Sequence, residues 1–396
     1  MLVRAVGCWR LAGGVSLLGL PFLIVLCGCS LGVLAGVWLA WNRWPRRLGV
    51  PGRAVSLVAV MVVGVVLAGA LVNRSFGFYV SVSDLLGDPV RAYEPPSSFG
   101  VPAGRARLTV LTPNWQRRAE VAAGNDQGTV LEVVLGGARS RITRRALLYV
   151  PAAYTAGRSD IALPVVELFH GYPGGPPNLT YQLHLASVLD QEIAALRMPP
   201  VLAVVPTTYQ GHSSECVDAV NGEPDETYLA VDVPADVQSA FRVLPGRAFG
   251  AVGYSEGGFC ALNLGLHHPD RFAAAASISG YATAGADPAT LRLYRGSRVA
   301  RNRNSPVWWV RHRAPTSPAL FLFASGQDSF AVGQDQALTA AARRYAPKLP
   351  VTATLLPSGG HNFRTWAAAL PAALDFLGRH LPMPLAPPNQ LPPAPR

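Results

Sequence analysis

Gly253-Tyr254-Ser255-Glu256-Gly257 is the stretch that decides the fold of this chain. An apolar run, Ala248-Phe249-Gly250-Ala251-Val252, leads into it. A run of helix formers, Phe259-Cys260-Ala261-Leu262-Asn263-Leu264-Gly265-Leu266, leads out of it. Strand, sharp turn and helix in that order are the setting in which a G-x-S-x-G string becomes a nucleophile elbow. A serine at the tip of so tight a turn has backbone packed on both sides. Only residues without a β-carbon fit two positions before and two after it. The hydroxyl then stands clear of the sheet, and the backbone N–H of Glu256 points at the same space. The competing reading is a serine in an ordinary β–α turn, so the rest of the chain has to decide.

A serine hydroxyl is a poor nucleophile near neutral pH. It needs a base, a group that orients the base, and donors for the developing oxyanion. On the strand–elbow–helix scaffold these arrive in the chain order serine, acid, histidine. The histidine is His361, in Ser358-Gly359-Gly360-His361-Asn362-Phe363, between the last predicted strand and the last predicted helix. Of the eight histidines, His267, His268, His312 and His380 sit in less suitable places, and His170 reads as a brace for its own loop. The acid is Asp328, in Phe323-Ala324-Ser325-Gly326-Gln327-Asp328, directly after the preceding predicted strand. Asp335 is the alternative, although its place in a predicted helix reads as surface. One oxyanion donor is the N–H of Glu256. The second is expected in Leu168-Phe169-His170-Gly171-Tyr172-Pro173-Gly174-Gly175, at Tyr172 or alternatively Gly171.

Around these motifs, apolar runs of strand length alternate with stretches of helix length. Strands are predicted at 129–135, 142–150, 163–169, 201–206, 247–253, 272–279, 318–324 and 351–356. Helices are predicted at 183–196, 234–244, 256–267, 333–346 and 362–379. Continuous apolar strands such as Val201-Leu202-Ala203-Val204-Val205 imply burial on both faces, as in a parallel sheet. The alternation implies βαβ units and a doubly wound, mostly parallel α/β sheet. The first two strands lack an intervening helix and read as an antiparallel hairpin at one edge.

The chain has 396 residues, 50% hydrophobic and 14% charged, with a formal net charge of +11. Residues 1–73 contain no Asp or Glu and six arginines, Arg4, Arg10, Arg43, Arg46, Arg47 and Arg53. Leu11 to Trp41 is uncharged for 31 residues, and Ala54 to Asn73 for 20. About 20 helical residues cross a ~30 Å hydrocarbon core, so each stretch reads as a transmembrane helix, the first with Pro21 as a candidate kink. Trp9 on one side and Trp38, Trp41 and Trp44 on the other resemble interfacial belts. The arginines between the stretches place that loop in the cytoplasm and the remainder of the chain outside. A signal segment over residues 1–29 is the alternative, opposed by an apolar run that continues past Cys29. The expected organisation is a membrane anchor at 1–73, a linker at 74–105, a catalytic domain at 106–380 and a proline-rich tail at 381–396.

Two features fit none of this directly. Residues 281–316 form a long insert with Arg292, Arg295, Arg298, Arg301, Arg303, Arg311, Arg313, Trp308 and Trp309. It reads as a cap, as a face for lipid headgroups or an anionic cell-wall polymer, or as a solvated excursion whose tryptophans pack on the core. Cys216 and Cys260 lie in the outer portion, where an exported protein can join them. No metal-ligand spacing, dinucleotide or phosphate-loop glycine pattern occurs, so neither metal nor cofactor is expected. There is no basic stripe with interleaved aromatics, which argues against nucleic acid.

Residues from about 125 to 380 resemble the esterase family of the α/β-hydrolase fold that includes esterase D, feruloyl esterases and the antigen 85 mycolyltransferases. The resemblance rests on Phe169-His170-Gly171, Gly253-Tyr254-Ser255-Glu256-Gly257-Gly258 and Gly359-Gly360-His361-Asn362-Phe363, followed by a helix with Trp366. The N-terminal region with Asn73-Arg74-Ser75-Phe76-Gly77-Phe78-Tyr79 resembles actinobacterial membrane-anchored members. The resemblance implies Ser255 as nucleophile, His361 as base and Asp328 as acid, acting on a small-molecule, lipid or glycolipid ester outside the plasma membrane. The antigen 85 enzymes carry Glu at the acid position, so Asp328 points to a plain esterase ahead of an acyltransferase that loads envelope sugars. A non-catalytic envelope-binding module on the same scaffold is the remaining alternative, and the presence of Ser255 weighs against it.

Overall fold

The computed structural model describes residues 17, 20–41, 43–45, 49–76, 107–155, 161–286 and 290–384. The linker expected over 74–105, apart from 74–76, and the tail beyond 384 lie outside the described residues, as do Trp9, Arg4, Arg10, Arg46 and Arg47. The chain divides into two compact units, Met1–Ala92 and Tyr93–Arg396.

The first unit contains helices α1 (Leu20–Ala40) and α2 (Gly49–Phe76). Their mean hydropathies are 2.4 and 2.8, and both are long and apolar enough to cross a membrane. Apolar side chains face outward around them, among them Ile24, Leu31, Met61 and Val65. Pro21 does not kink α1. It lies in the first turn, where its missing N–H costs no helical hydrogen bond. Arg53, near the start of α2, stacks its guanidinium over Trp41 at 5.6 Å.

The second unit is built on a nine-stranded sheet: β1 (Arg107–Val110), β2 (Thr129–Gly136), β3 (Thr143–Val150), β4 (Val165–Phe169), β5 (Leu202–Pro206), β6 (Phe249–Tyr254), β7 (Phe272–Ile278), β8 (Ala319–Ser325) and β9 (Val351–Leu356). The spatial order is β1-β2-β3-β5-β4-β6-β7-β8-β9. β1, β2 and β3 are antiparallel to their neighbours, and the sheet is parallel from β5 to β9. The predicted hairpin is β2–β3, but it is not the edge. Four-residue β1, too short to register as an apolar run, pairs outside it and takes that place.

Around the sheet lie α3 (Trp115–Ala123), α4 (Leu185–Ala194), α5 (Val233–Ala240), α6 (Glu256–His267), α7 (Pro306–Arg313), α8 (Ser329–Tyr345) and α9 (Phe363–His380). α3 was invisible to periodicity because only Ala119 and Ala123 of its residues are buried. Alternate residues along the central strands feed different cores. Val165 and Phe169 of β4 join one that includes Leu264, Leu322 and Leu338. Val166 and Leu168 join the other, which includes Ala369, Leu370 and Leu377 of α9. That alternation is why β4, β5 and β6 are apolar at nearly every position.

The chain reverses its direction of winding between β4 and β6, which are hydrogen-bonded neighbours with Phe169 opposite Gly253. In an open α/β sheet a crevice forms outside the carboxyl ends of the strands at such a reversal. The segments leaving β4 and β6 there are His170-Gly171-Tyr172 and Ser255-Glu256.

The described residues of the insert, 281–286 and 290–316, hold helices Leu291–Tyr294, Arg298–Arg303 and α7. Ala284, Leu293 and Tyr294 form a small cluster with Val217 and with Phe259 of α6. Trp309 packs against the main core and against His267 at 4.2 Å. Trp308 instead stacks on His312 of its own helix.

Candidate active site

Ser255 has φ 55° and ψ −124°, a conformation a residue with a β-carbon rarely adopts. Two close approaches explain why it is held there. A β-carbon on Gly257 would lie inside the Phe169 carbonyl, and one on Gly253 inside that of Gly257. The turn thus packs directly on the end of β4, and Ser255 N–H donates to Ile278 O of β7 at 2.9 Å.

Three of the predicted residues meet in one hydrogen-bonded line. Ser255 Oγ lies 2.8 Å from His361 Nε2, and His361 Nδ1 lies 2.7 Å from Asp328 Oδ2. The serine donates to an imidazole that in turn donates to the carboxylate. Asp328 caps α8, accepting the Ala331 N–H through Oδ1 at 3.2 Å. Burial is the largest influence and would raise its carboxyl pKa, but the bond to His361, the His361 charge and the Ala331 N–H together hold the group below its ordinary value. His361 is set between two tied points. Gly359 N–H donates to Gln327 Oε1 at 3.0 Å, and Asn362 Oδ1 caps α9 by accepting the Thr365 N–H at 3.0 Å. The imidazole meets Trp366 edge-on at 5.0 Å, and Trp366 stacks on Tyr254 at 4.5 Å. The helix with Trp366 therefore fixes the ring from behind.

The loop after β4 approaches the serine closely. A β-carbon on Gly171 would fall 3.1 Å from Ser255 Cβ. Tyr209 Oη holds this loop from outside by donating to Gly174 O and accepting Gly174 N–H, each at 2.8 Å. Burial pushes the His170 imidazole down to about 4, so it is neutral at pH 7. Its ring then donates from Nδ1 to Gly171 O at 2.9 Å and accepts the Thr208 N–H at Nε2 at 3.2 Å. That is a bracing role. Tyr172, whose side chain is half exposed, meets Tyr209 edge-on at 4.9 Å.

Asp335 is not the surface residue its helix position suggested. It is buried on the inward face of α8 with Ala331, Leu338 and Ala342. Burial and the neighbouring Asp328 charge push its carboxyl up to about 7. It is not the hydrogen-bond partner of His361, whose Nδ1 is taken by Asp328. Sequence reasoning missed a polar network behind the elbow. The buried Glu256 side chain accepts Ser213 Oγ at 2.6 Å and the Glu215 N–H at 3.3 Å. Burial first, then the Glu215 charge, pushes its carboxyl up to about 7. Cys216, next to Glu215, is joined to Cys260 by a disulfide. Among the described residues no His, Cys, Asp or Glu cluster could hold a metal ion.

A family model described as "Putative esterase" matches residues 141–377, well over half of the chain. The chain belongs to the esterase family. An uncharacterized protein of Corynebacterium glutamicum is 26% identical over 280 residues, covering 67% of this chain and 65% of that one. A protein of Nocardia uniformis subsp. tsuyamanensis, described as the putative esterase NocK, is 28% identical over 197 residues, covering 47% of this chain and 51% of its own length. The chain thus spans about half to two thirds of these relatives. Among solved structures, a ferulic acid esterase superposes with a TM-score of 0.57 at 23% identity, covering 64% of this chain and 99% of that one. That likeness is one of α/β-hydrolase fold.

Proposed function

We propose that this esterase-family chain is a serine carboxylic-ester hydrolase working through an acyl-enzyme. The observation that carries the reading is the Ser255–His361–Asp328 line, with contacts of 2.8 and 2.7 Å, at a strained turn beside the β4 loop. Ser255 Oγ attacks the ester carbonyl as His361 Nε2 takes its proton. Asp328 keeps the His361 proton on Nδ1 and stabilises the imidazolium that forms. The oxyanion is received by the N–H of Glu256 and that of Tyr172, with Gly171 the alternative. His361 then gives its proton to the departing alkoxide, which leaves as the alcohol. Water enters and its oxygen adds to the acyl carbon as His361 takes one of its protons; the acyl–Oγ bond then breaks, His361 returns the proton to Ser255 Oγ, and the acid leaves. Acyl transfer to a sugar hydroxyl uses the same residues with another alcohol in place of water.

The reading also places this unit outside the plasma membrane, with α1 and α2 as spans and Arg43 and Arg53 on the cytoplasmic side. The apolar surfaces of both helices and the Cys216–Cys260 disulfide support it. The deciding experiment treats the full chain in detergent with a fluorophosphonate probe and p-nitrophenyl esters. Labelling at Ser255 with ester turnover supports the hydrolase, whereas a folded protein that takes up no probe overturns it. A phosphatase reporter fused after residue 384 should be active outside the cell, and inactivity there refutes the topology.

A further inference from the structure

The insert leaves the sheet at the end of β7, beside the elbow, yet it is fastened at a distant point in the sequence. That point is Glu215, fully buried. Its Oε1 accepts Tyr281 Oη at 2.9 Å and Gly285 N–H at 2.8 Å, and its Oε2 accepts Tyr294 Oη at 2.6 Å. All three donors belong to the 281–316 insert. The Glu215 N–H donates to Glu256, the residue after Ser255, and Cys216 is bonded covalently to Cys260, one turn further along α6. One short segment therefore grips the insert with a side chain and the elbow helix with its backbone and a disulfide. Gly285 is a glycine for this reason: a β-carbon there would fall 3.0 Å from Glu215 Oε1 and 2.6 Å from Thr290 Oγ1. Tyr281, the first residue held, stacks on Phe259 of α6 at 4.6 Å and faces Phe330, two residues past Asp328, at 6.3 Å. The root of the insert thus spans from the serine side of the site to the acid side.

Resting on the hydrolase reading above, we propose that Glu215 is a positioning residue that sets selectivity among esters. It holds the insert as a fixed wall of the crevice without touching the substrate. Buried, charge-assisted hydrogen bonds such as those from Tyr281, Gly285 and Tyr294 are short-range and directional, so they hold the wall in one place. Removing the carboxyl frees the wall and leaves the backbone N–H that serves Glu256.

The test compares the full-length wild type, Glu215→Ala and Glu215→Gln in detergent, by hydrogen exchange and by kinetics on p-nitrophenyl acetate and p-nitrophenyl octanoate. In Glu215→Ala, exchange in 281–286 and 290–313 should rise about tenfold or more, with residues 107–155 within about twofold of wild type, because opening is local. KM for the octanoate should rise about fivefold or more, with the acetate and the rate of fluorophosphonate labelling changing less than about twofold, since ground-state positioning is lost and the chemistry is kept. Glu215→Gln keeps the shape and two acceptor bonds, so it should recover most of both effects. If the alanine variant fails to fold, Tyr294→Phe stands in: it removes the bond to Glu215 Oε2 and should raise exchange in the insert about threefold or more. Unchanged exchange in the insert of Glu215→Ala or its stand-in, or a parallel fall on both esters, overturns the proposal. A wild type that neither labels nor turns over either ester sinks the hydrolase reading instead, and the exchange arm still decides whether Glu215 holds the insert.

Discussion

Replacing Asp328 with asparagine should disable the site while changing little else, and the geometry says why. Asp328 serves two donors: Oδ1 accepts the Ala331 N–H, and Oδ2 accepts His361 Nδ1–H. An asparagine has one oxygen to offer. The Ala331 N–H is a fixed backbone donor, so the oxygen stays there and the amide NH2 turns toward His361. Nδ1 must then accept, which moves the imidazole proton to Nε2, facing Ser255 Oγ at 2.8 Å. In that tautomer the ring cannot take the serine proton. Loss of the correct tautomer in a Ser-His-Asp site costs on the order of 10⁴-fold in kcat, or about 5 kcal/mol of barrier at 1.36 kcal/mol per tenfold. The substituted side chain still caps the helix, so the fold should persist. The measurement is kcat/KM on p-nitrophenyl acetate for Asp328→Asn, with far-UV circular dichroism and a melting curve as controls. A folded variant within about tenfold of wild type would refute the tautomer argument, because neither the orienting bond nor the imidazolium partner would then matter.

Three further outcomes follow from particular contacts. Gly257→Ala drives a β-carbon into the Phe169 carbonyl; backbone cannot yield there, so a loss of about 3 kcal/mol is expected, read as a melting temperature lower by roughly 6–12 °C. Cys216→Ser with Cys260→Ser opens a link across 44 residues, which the chain-entropy relation values at about 4 kcal/mol; a melting temperature unchanged by this pair would show that the unfolded chain is already constrained there. Burial pushes Glu256 and Asp335 each up to about 7. The unfolded chain releases these protons near pH 4 to 4.5, while the folded chain holds them to about pH 7. Stability should therefore be fully present below about pH 4 from these groups and decline as pH rises toward 7. Calorimetry from pH 5 to 7.5 should show the melting temperature falling, and Glu256→Gln should flatten the slope.

Local pattern was enough to read the strand–elbow–helix unit at 249–267, the order of the later strands and helices, and the strand ends after which Ser255, His361 and Asp328 lie. Each sits where a strand's apolar run gives way to glycines or a capping residue, and those signals extend over only a few neighbours. The two apolar helices were equally legible, because lipid-compatible composition is a property of the segment itself. β1 and α3 escaped detection, since four residues and two buried alanines leave no periodicity to read. Asp335 was misplaced because a helix's inward face depends on what it packs against, and that partner is remote in the chain. The partnership of Cys216 with Cys260 depends on the loop after β5 meeting α6. The Glu215 clamp depends on residues 66 to 79 positions apart finding one carboxyl. Sequence by itself determined which chemical groups the protein carries and the turn that presents each of them. The sheet order, with β4 set beside β6, decided which of those groups share a crevice and what stands around them, because contacts between distant segments arise only when strands pair and bury their faces together.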